Sequence, residues 1–112
     1  MMTISQQQLA SSYDEVPYPS AAHIFTHPDN LATAAILMGL DPPPVENCRV
    51  LELGCAGGGN LIPMALQLPQ AKFLGIDASA LQVQDGETAI KALGLDNIEI
   101  KYLDILDFED EA

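Results

Sequence analysis

The stretch VLELGCAGGGN, from Val50 to Asn60, constrains the fold of this chain more than any other. A short apolar run breaks abruptly into Gly54, Gly57, Gly58 and Gly59. Glycine has no Cβ, so such a cluster lets the backbone turn sharply and lets another molecule come close to the main chain. A strand, a glycine-rich turn and the start of a helix together form the usual cradle for a nucleotide-like ligand in an α/β protein.

The downstream pattern supports that architecture. Apolar runs at Arg49 to Leu53 and Lys72 to Asp77 read as buried strands, and Ile98 to Leu103 alternates apolar and polar residues as a strand with one wetter face. Helices are expected between them, from about Gly58 to Leu68 and from Ala80 to Leu93. Pro63 falls early enough in the first to be tolerated. In the second, Ser79 is a natural cap, Val83, Gly86, Ile90 and Leu93 form a stripe, and Gly94 with Leu95 reads as a Schellman ending. The order βαβαβ predicts a parallel sheet, with the wetter third strand at an edge. Right-handed crossovers give the strand order 3-2-1, a Rossmann-like half sheet of the α/β class. The sequence runs out at EDEA just after the third strand. The expectation is therefore a truncated domain, with self-association through the exposed edge of strand one as one way to cover it.

Residues 1–44 read as an N-terminal extension with a helical segment, and residues 45–112 as the sheet domain. Pro17, Pro19 and Pro28 forbid one long helix upstream. Pro28 suits the first turn of a helix reaching Met38, with Leu31, Ala34, Ala35 and Met38 on one face and Gly39 as its stop. The segment DPPPVEN is a stiff link into the sheet.

Charge narrows the partners. The chain of 112 residues carries 4 basic and 16 acidic side chains, a formal charge of -12. Phosphate backbones and anionic membranes would be repelled, so neither nucleic acid nor membrane is an expected partner, although surface acid also simply aids solubility. The opening MMTISQQQLA lacks a basic and an apolar targeting region, which predicts a cytoplasmic protein. Cys48 and Cys55 would stand about 23 Å apart on an extended strand, too far to bridge, and their spacing matches no common zinc motif. His23 and His27 have the spacing of a zinc helix, but Ile24 replaces the needed Glu and Pro28 follows directly. No metal is expected.

Three carboxylates then discriminate among nucleotide-like ligands. From Gly54 the turn reads Gly-Cys-Ala-Gly-Gly-Gly, with Ala56 where a dinucleotide fingerprint has its second glycine. Glu52, one residue before the turn, opposes a pyrophosphate and suits an ammonium or sulfonium. Asp77 ends the second strand, where an acidic residue accepts from ribose hydroxyls, and Asp104 follows the third, where it could accept from an exocyclic amino group. Structural alternatives exist for each: pairing of Glu52 with Arg49, a turn role for Asp77, and for Asp104 mere membership of an acid-rich tail. All three fall at the carboxyl ends of strands, where open α/β sheets bind ligands. A cationic nucleoside suits them together.

VLELGCAGGGN, FLGIDAS and IEIKYLDI resemble the first three motifs of the class I S-adenosylmethionine-dependent methyltransferases, over about Arg49 to Leu106. The longer stretch from Ser12 to Ala65 resembles the opening of bacterial methyltransferases that carry a methyltransferase regulatory domain further downstream. The resemblance implies S-adenosyl-L-methionine as cofactor, with Glu52 near its amino group and Gly54, Cys55, Ala56 and Gly57 along its methionine part. It further implies Asp77 at the ribose, Ala78 by the adenine, and Asp104 with Ile105 at the adenine edge. It leaves the methyl acceptor unknown, small molecule or protein, with protein lysine one acceptor known among such enzymes.

Methyl transfer from a sulfonium is an in-line displacement, in which the protein chiefly positions the two reactants. No residue can be named as a catalytic base. Tyr13, Tyr18, His23 and His27 precede the sheet and could fold over the cofactor, Tyr18 foremost, although packing is the simpler role for each. Two rivals stand beside the methyltransferase reading: an NAD(P)-dependent oxidoreductase, disfavoured by Ala56 and Glu52, and a non-catalytic binding or assembly fragment.

Overall fold

The three short apolar runs pair side by side as parallel strands β1 (Arg49–Leu53), β2 (Lys72–Asp77) and β3 (Ile98–Tyr102). Their spatial order is β1-β2-β3, the expected 3-2-1 order read from the other edge. These elements come from a computed structural model, which describes residues 21–109. Tyr13, Tyr18, Pro17 and Pro19 lie outside the described residues.

Register decides which side chains share a face. Val50, Phe73 and Ile98 are aligned across the sheet, and so are Glu52, Gly75 and Ile100. Both rows point to the same side, because side chains alternate with a period of two. The helices α2 (Leu61–Gln67) and α3 (Ala80–Leu93) cover that side. Leu61, Ile62, Met64, Ala65 and Val83 from these helices join Phe73, Ile98 and Ile100 in one buried cluster. Both connections step in the same direction along the sheet, so crossovers of one hand must put both helices on one face.

The other face is barer. Leu51 and Leu53 point there and are 43% and 48% exposed. Strand β1 therefore alternates half-buried and exposed residues, where its composition suggested burial on both sides. Among the described residues β1 is an edge strand with helices on one face only.

Glycine sets how closely the layers approach. A Cβ on Gly75 would lie 2.6 Å from the Cys55 Sγ and 2.9 Å from a Leu61 methyl, so only a bare Cα lets the turn after β1 settle on β2. Asn97 fastens the far end of α2. Its side-chain amide donates to the carbonyls of Ala65, Leu68 and Ala71 at 3.0, 3.1 and 3.2 Å, tying the last turn of the helix to the loop that leads into β2.

Several boundaries differ from expectation. Helix α2 starts at Leu61 rather than Gly58, because Gly58 has φ 81, a left-handed conformation no α-helix accepts. Pro63 then sits in the first turn, where its missing N–H has no intrahelical use. Helix α3 matches its expected span. Ser79 accepts from the Gln82 N–H at 3.3 Å, Gly94 has φ 65, and the Leu95 N–H reaches the Ile90 carbonyl at 3.2 Å, the long closing bond of a Schellman ending. Leu93, however, is half exposed and falls off the buried stripe.

The upstream helix α1 spans Pro28–Leu37, with Pro28 in its first turn and Gly39 at φ 83 beyond its end. Its cap is His27, whose Nδ1 accepts from the Asp29 N–H at 3.1 Å. Of the residues that share one apolar face, Leu31 and Met38 are 54% and 80% exposed among the described residues, and Pro28 is the helix's buried residue. Among the described residues no helix is long and apolar enough to cross a membrane.

Candidate functional site

Strand β1 ends in a turn built from left-handed residues. Gly54, Ala56 and Gly58 have φ of 75, 51 and 81. Gly54 and Gly58 adopt this conformation without steric penalty, whereas for Ala56 it costs about 1 to 2 kcal/mol. The turn is held down twice. The N–H groups of Gly54 and Cys55 converge on the Ile76 carbonyl at 2.8 and 3.0 Å, and the Ala56 N–H donates to Asp77 Oδ2 at 2.8 Å. A carboxylate acceptor roughly doubles the strength of a neutral hydrogen bond, which offsets the strain at Ala56.

Asp77 grips the following turn as well, its Oδ1 accepting from the Ser79 N–H at 2.9 Å. The last residue of β2 thus ties the turn after β1 to the start of α3. A carboxylate offers about four lone-pair sites, so the two bonds leave half of its accepting capacity open. Asp104 sits just beyond β3, next to Leu103, whose N–H bonds the Asp77 carbonyl at 3.0 Å. Its Oδ1 caps a short 3-10 turn over Ile105–Asp107 by accepting from the Leu106 N–H at 2.9 Å. Ala78 stands between Asp77 and the buried Ser79.

Glu52 is half-buried, and its Oε2 accepts from Asn60 Nδ2 at 3.1 Å. Loss of water raises its pKa above the ordinary 4.5, while the Asn60 hydrogen bond and the nearby His23 pull the other way. The alternative partner Arg49 begins the same strand on the opposite face, so it does not pair with Glu52. Cys55 is buried at 3% exposure. Its thiol is pushed up to about 12, first by loss of water and then by the negative charges of Asp77 and Glu52. It stays a neutral thiol at physiological pH and contributes packing rather than a nucleophile. Cys48 is likewise buried and unbridged.

Two features of this region have no signature in the sequence. One is Asn60, which lies between the glycine turn and α2 and bonds residues far along the chain: its Oδ1 accepts from the His23 N–H at 2.7 Å and its Nδ2 also donates to Thr26 Oγ1 at 2.9 Å. The expected helix from Gly58 to Leu68 puts it inside the first turn, and its side chain makes no cap bond to the helix that in fact starts at Leu61. The other is the bond from the Ala56 N–H to Asp77, 21 residues apart, which goes beyond the turn role that the position of Asp77 allowed. His27, by contrast, uses both ring nitrogens structurally, on the Asp29 N–H and on Gln67 Oε1 at 3.0 Å.

The site thus presents a rim with Glu52 and Asp77 on either side of a strained turn. Among the described residues, a Cβ added at Gly54 would meet nothing within 4 Å. A cation is favoured on the Glu52 side and hydroxyl donors at Asp77.

Comparison with known proteins identifies the family. The methyltransferase domain family matches residues 44–112. The chain is 49% identical over 98 residues to the uncharacterized protein RP789 of Rickettsia prowazekii, covering 88% of this chain and 18% of that protein. It is 36% identical over 63 residues to the ribosomal RNA small subunit methyltransferase G of Chlorobium limicola, covering 56% of this chain and 29% of that one. Among solved structures, PKMT2 from Rickettsia typhi in complex with AdoHcy superposes with a TM-score of 0.79 at 38% identity, over 85% of this chain and 19% of that chain. The chain spans less than a fifth of both RP789 and PKMT2. With a three-stranded parallel sheet, a glycine turn after its first strand and a family match over most of its length, this chain belongs to the methyltransferase domain family.

Proposed function

We propose that this chain forms the donor-binding part of an S-adenosylmethionine-dependent methyltransferase. The observation that carries the reading is the convergence of Glu52 and Asp77 on one left-handed turn at the carboxyl end of a parallel sheet. The solved relative in complex with AdoHcy supports it independently.

Each residue has a distinct task in this reading. Glu52 attracts the ammonium of the methionine moiety, and ligand charge there would offset the desolvation the carboxylate now bears. Gly54, Cys55, Ala56 and Gly57 present their backbone to the methionine part. Asp77 uses its remaining lone pairs for the ribose hydroxyls, while its existing bonds to Ala56 and Ser79 fix its orientation beforehand. Ala78 lies against the adenine, and Asp104 with Ile105 holds its edge.

When bound, the cofactor supplies an electrophilic methyl on a sulfonium, and the chain contributes binding, orientation and exclusion of water. The acceptor we favour is an amine, protein lysine included, rather than nucleic acid, and it attacks in its neutral form after its proton has left to solvent. The formal charge of -12 carries that preference, since RNA phosphates would be repelled. The RNA methyltransferase relative makes nucleic acid the reading to test against.

Calorimetric titration of the chain with S-adenosylhomocysteine, S-adenosylmethionine and NAD is the direct test. Binding of the first two and not of NAD is expected. Binding of NAD alone would replace the proposal with an oxidoreductase. In the full-length protein, methyl incorporation into ribosomal RNA and not into protein would overturn the acceptor preference.

A further inference from the structure

Asn60 links the strand end carrying Glu52 to the segment preceding α1. It is 8% exposed and uses its amide in three directions: Nδ2 to Glu52 Oε2 at 3.1 Å, Nδ2 to Thr26 Oγ1 at 2.9 Å, and Oδ1 from the His23 N–H at 2.7 Å. The partners lie 8, 34 and 37 residues away in sequence, so these contacts form only when the chain is folded around the site. The upstream turn is braced from its own side too. Thr26 Oγ1 donates to the His23 carbonyl at 2.8 Å, and Asn30 Nδ2 reaches the Ile24 carbonyl at 2.7 Å. The unit docked on Asn60 is therefore a preformed turn rather than a loose strand.

We propose that Asn60 is a positioning residue that couples the turn at His23–Thr26 to the donor site, aiming the Glu52 carboxylate while holding that turn beside it. The physical reason is that one planar amide serves both. Rotating it to improve one bond spoils the others, so the Glu52 rotamer and the docked turn stabilise each other. An ammonium drawn to Glu52 tightens the same arrangement, and loss of the turn frees Asn60 and with it the carboxylate. The inference rests on the donor-site reading, since it assigns Asn60 a part in that same site.

The test uses the 112-residue chain with two substitutions, read by amide hydrogen exchange at His23 and by S-adenosylhomocysteine affinity. Thr26→Val removes one Asn60 partner while leaving every proposed ligand contact intact. Asn60→Ala removes all three bonds. Both are expected to speed His23 exchange. The expected loss of affinity is several-fold for Thr26→Val and about tenfold for Asn60→Ala, the scale of one hydrogen bond to a charged group. Saturating S-adenosylhomocysteine is expected to slow His23 exchange in the wild type.

Asn60→Asp adds a readout that a merely structural role would not move. It sets two carboxylates face to face, so ligand affinity is expected to recover as pH falls and the pair takes up a shared proton. Faster His23 exchange with unchanged affinity in both variants would refute the coupling while leaving the donor site standing. Unchanged His23 exchange in Asn60→Ala would refute docking itself. A wild type that binds no S-adenosylhomocysteine would instead remove the donor-site reading and the coupling with it.

Discussion

Replacing Asp77 with Ala should cost stability before any ligand is added. Its carboxylate accepts from two backbone N–H groups, of Ala56 at 2.8 Å and Ser79 at 2.9 Å, and fastens two loops together. Hydrogen bonds to a charged group contribute about 1.5 to 3 kcal/mol each, and partial exposure of Asp77 lets water recover some of this, so the loss is about 2 to 4 kcal/mol. The left-handed Ala56 also loses the bond that offsets its strain. For a domain of this size each kcal/mol moves the melting temperature by roughly 4 to 8 °C, which predicts a drop of about 10 °C or more in the free chain. The assay is thermal unfolding by circular dichroism without ligand, followed by titration with S-adenosylhomocysteine. Asp77→Asn, which keeps one acceptor oxygen, should fall between. A free Asp77→Ala chain that melts within about 2 °C of wild type would refute the reasoning, because an effect of that size corresponds to less than one net hydrogen bond. Loss of ligand affinity alongside unchanged stability would make Asp77 a ligand group alone.

Three further outcomes follow from the same geometry. Burial raises the Glu52 pKa above 4.5, so the folded chain holds that proton more tightly than the unfolded chain does. The stability contributed by that preference is full below the ordinary value and is lost as pH rises through the raised one. Glu52→Gln should therefore unfold at higher urea than wild type at neutral pH and flatten the acid side of the pH profile, while weakening S-adenosylhomocysteine binding; a neutral-pH loss of stability would contradict this. Gly75→Ala should destabilise the chain by about 1 to 3 kcal/mol through overpacking, since the new Cβ would sit 2.6 Å from Cys55 Sγ and 2.8 Å from Cys55 Cβ. Neutral stability of that variant by urea unfolding would show that the turn and β2 are not so tightly apposed. Cys55, with its thiol raised to about 12, should resist iodoacetamide at pH 8 in the folded chain and react once unfolded. The stability from keeping it protonated is present below its ordinary 9.0 and lost as pH climbs through about 12. Rapid labelling of folded Cys55, mapped by mass spectrometry, would contradict its burial.

Local pattern sufficed for much of this. Period-two and period-3.6 hydrophobicity, with Ser79 and Gly94 as punctuation, placed strands and helices to within a few residues, because such signals depend on neighbours along the chain. The βαβαβ order and crossover handedness then limited the sheet to the observed 3-2-1 arrangement. The same logic put Glu52, Asp77 and Asp104 at the carboxyl ends of their strands.

What the pattern could not decide depends on groups far apart in sequence. The late start of α2 came from the left-handed Gly58, and the exposure of Leu31, Met38 and Leu51 from which faces found a covering layer. For Asp77 the sequence leaves a ligand role and a turn role side by side; the fold shows the turn bond to Ser79 and adds a second bond to Ala56. Asn60 carries no assignment in the sequence, inside the expected span of the helix from Gly58, yet it joins Glu52 to His23 and Thr26. Side-chain type sets which bonds a residue can make, whereas only the folded backbone brings a partner within 3 Å, and for Asn60 two of those partners are more than thirty residues away.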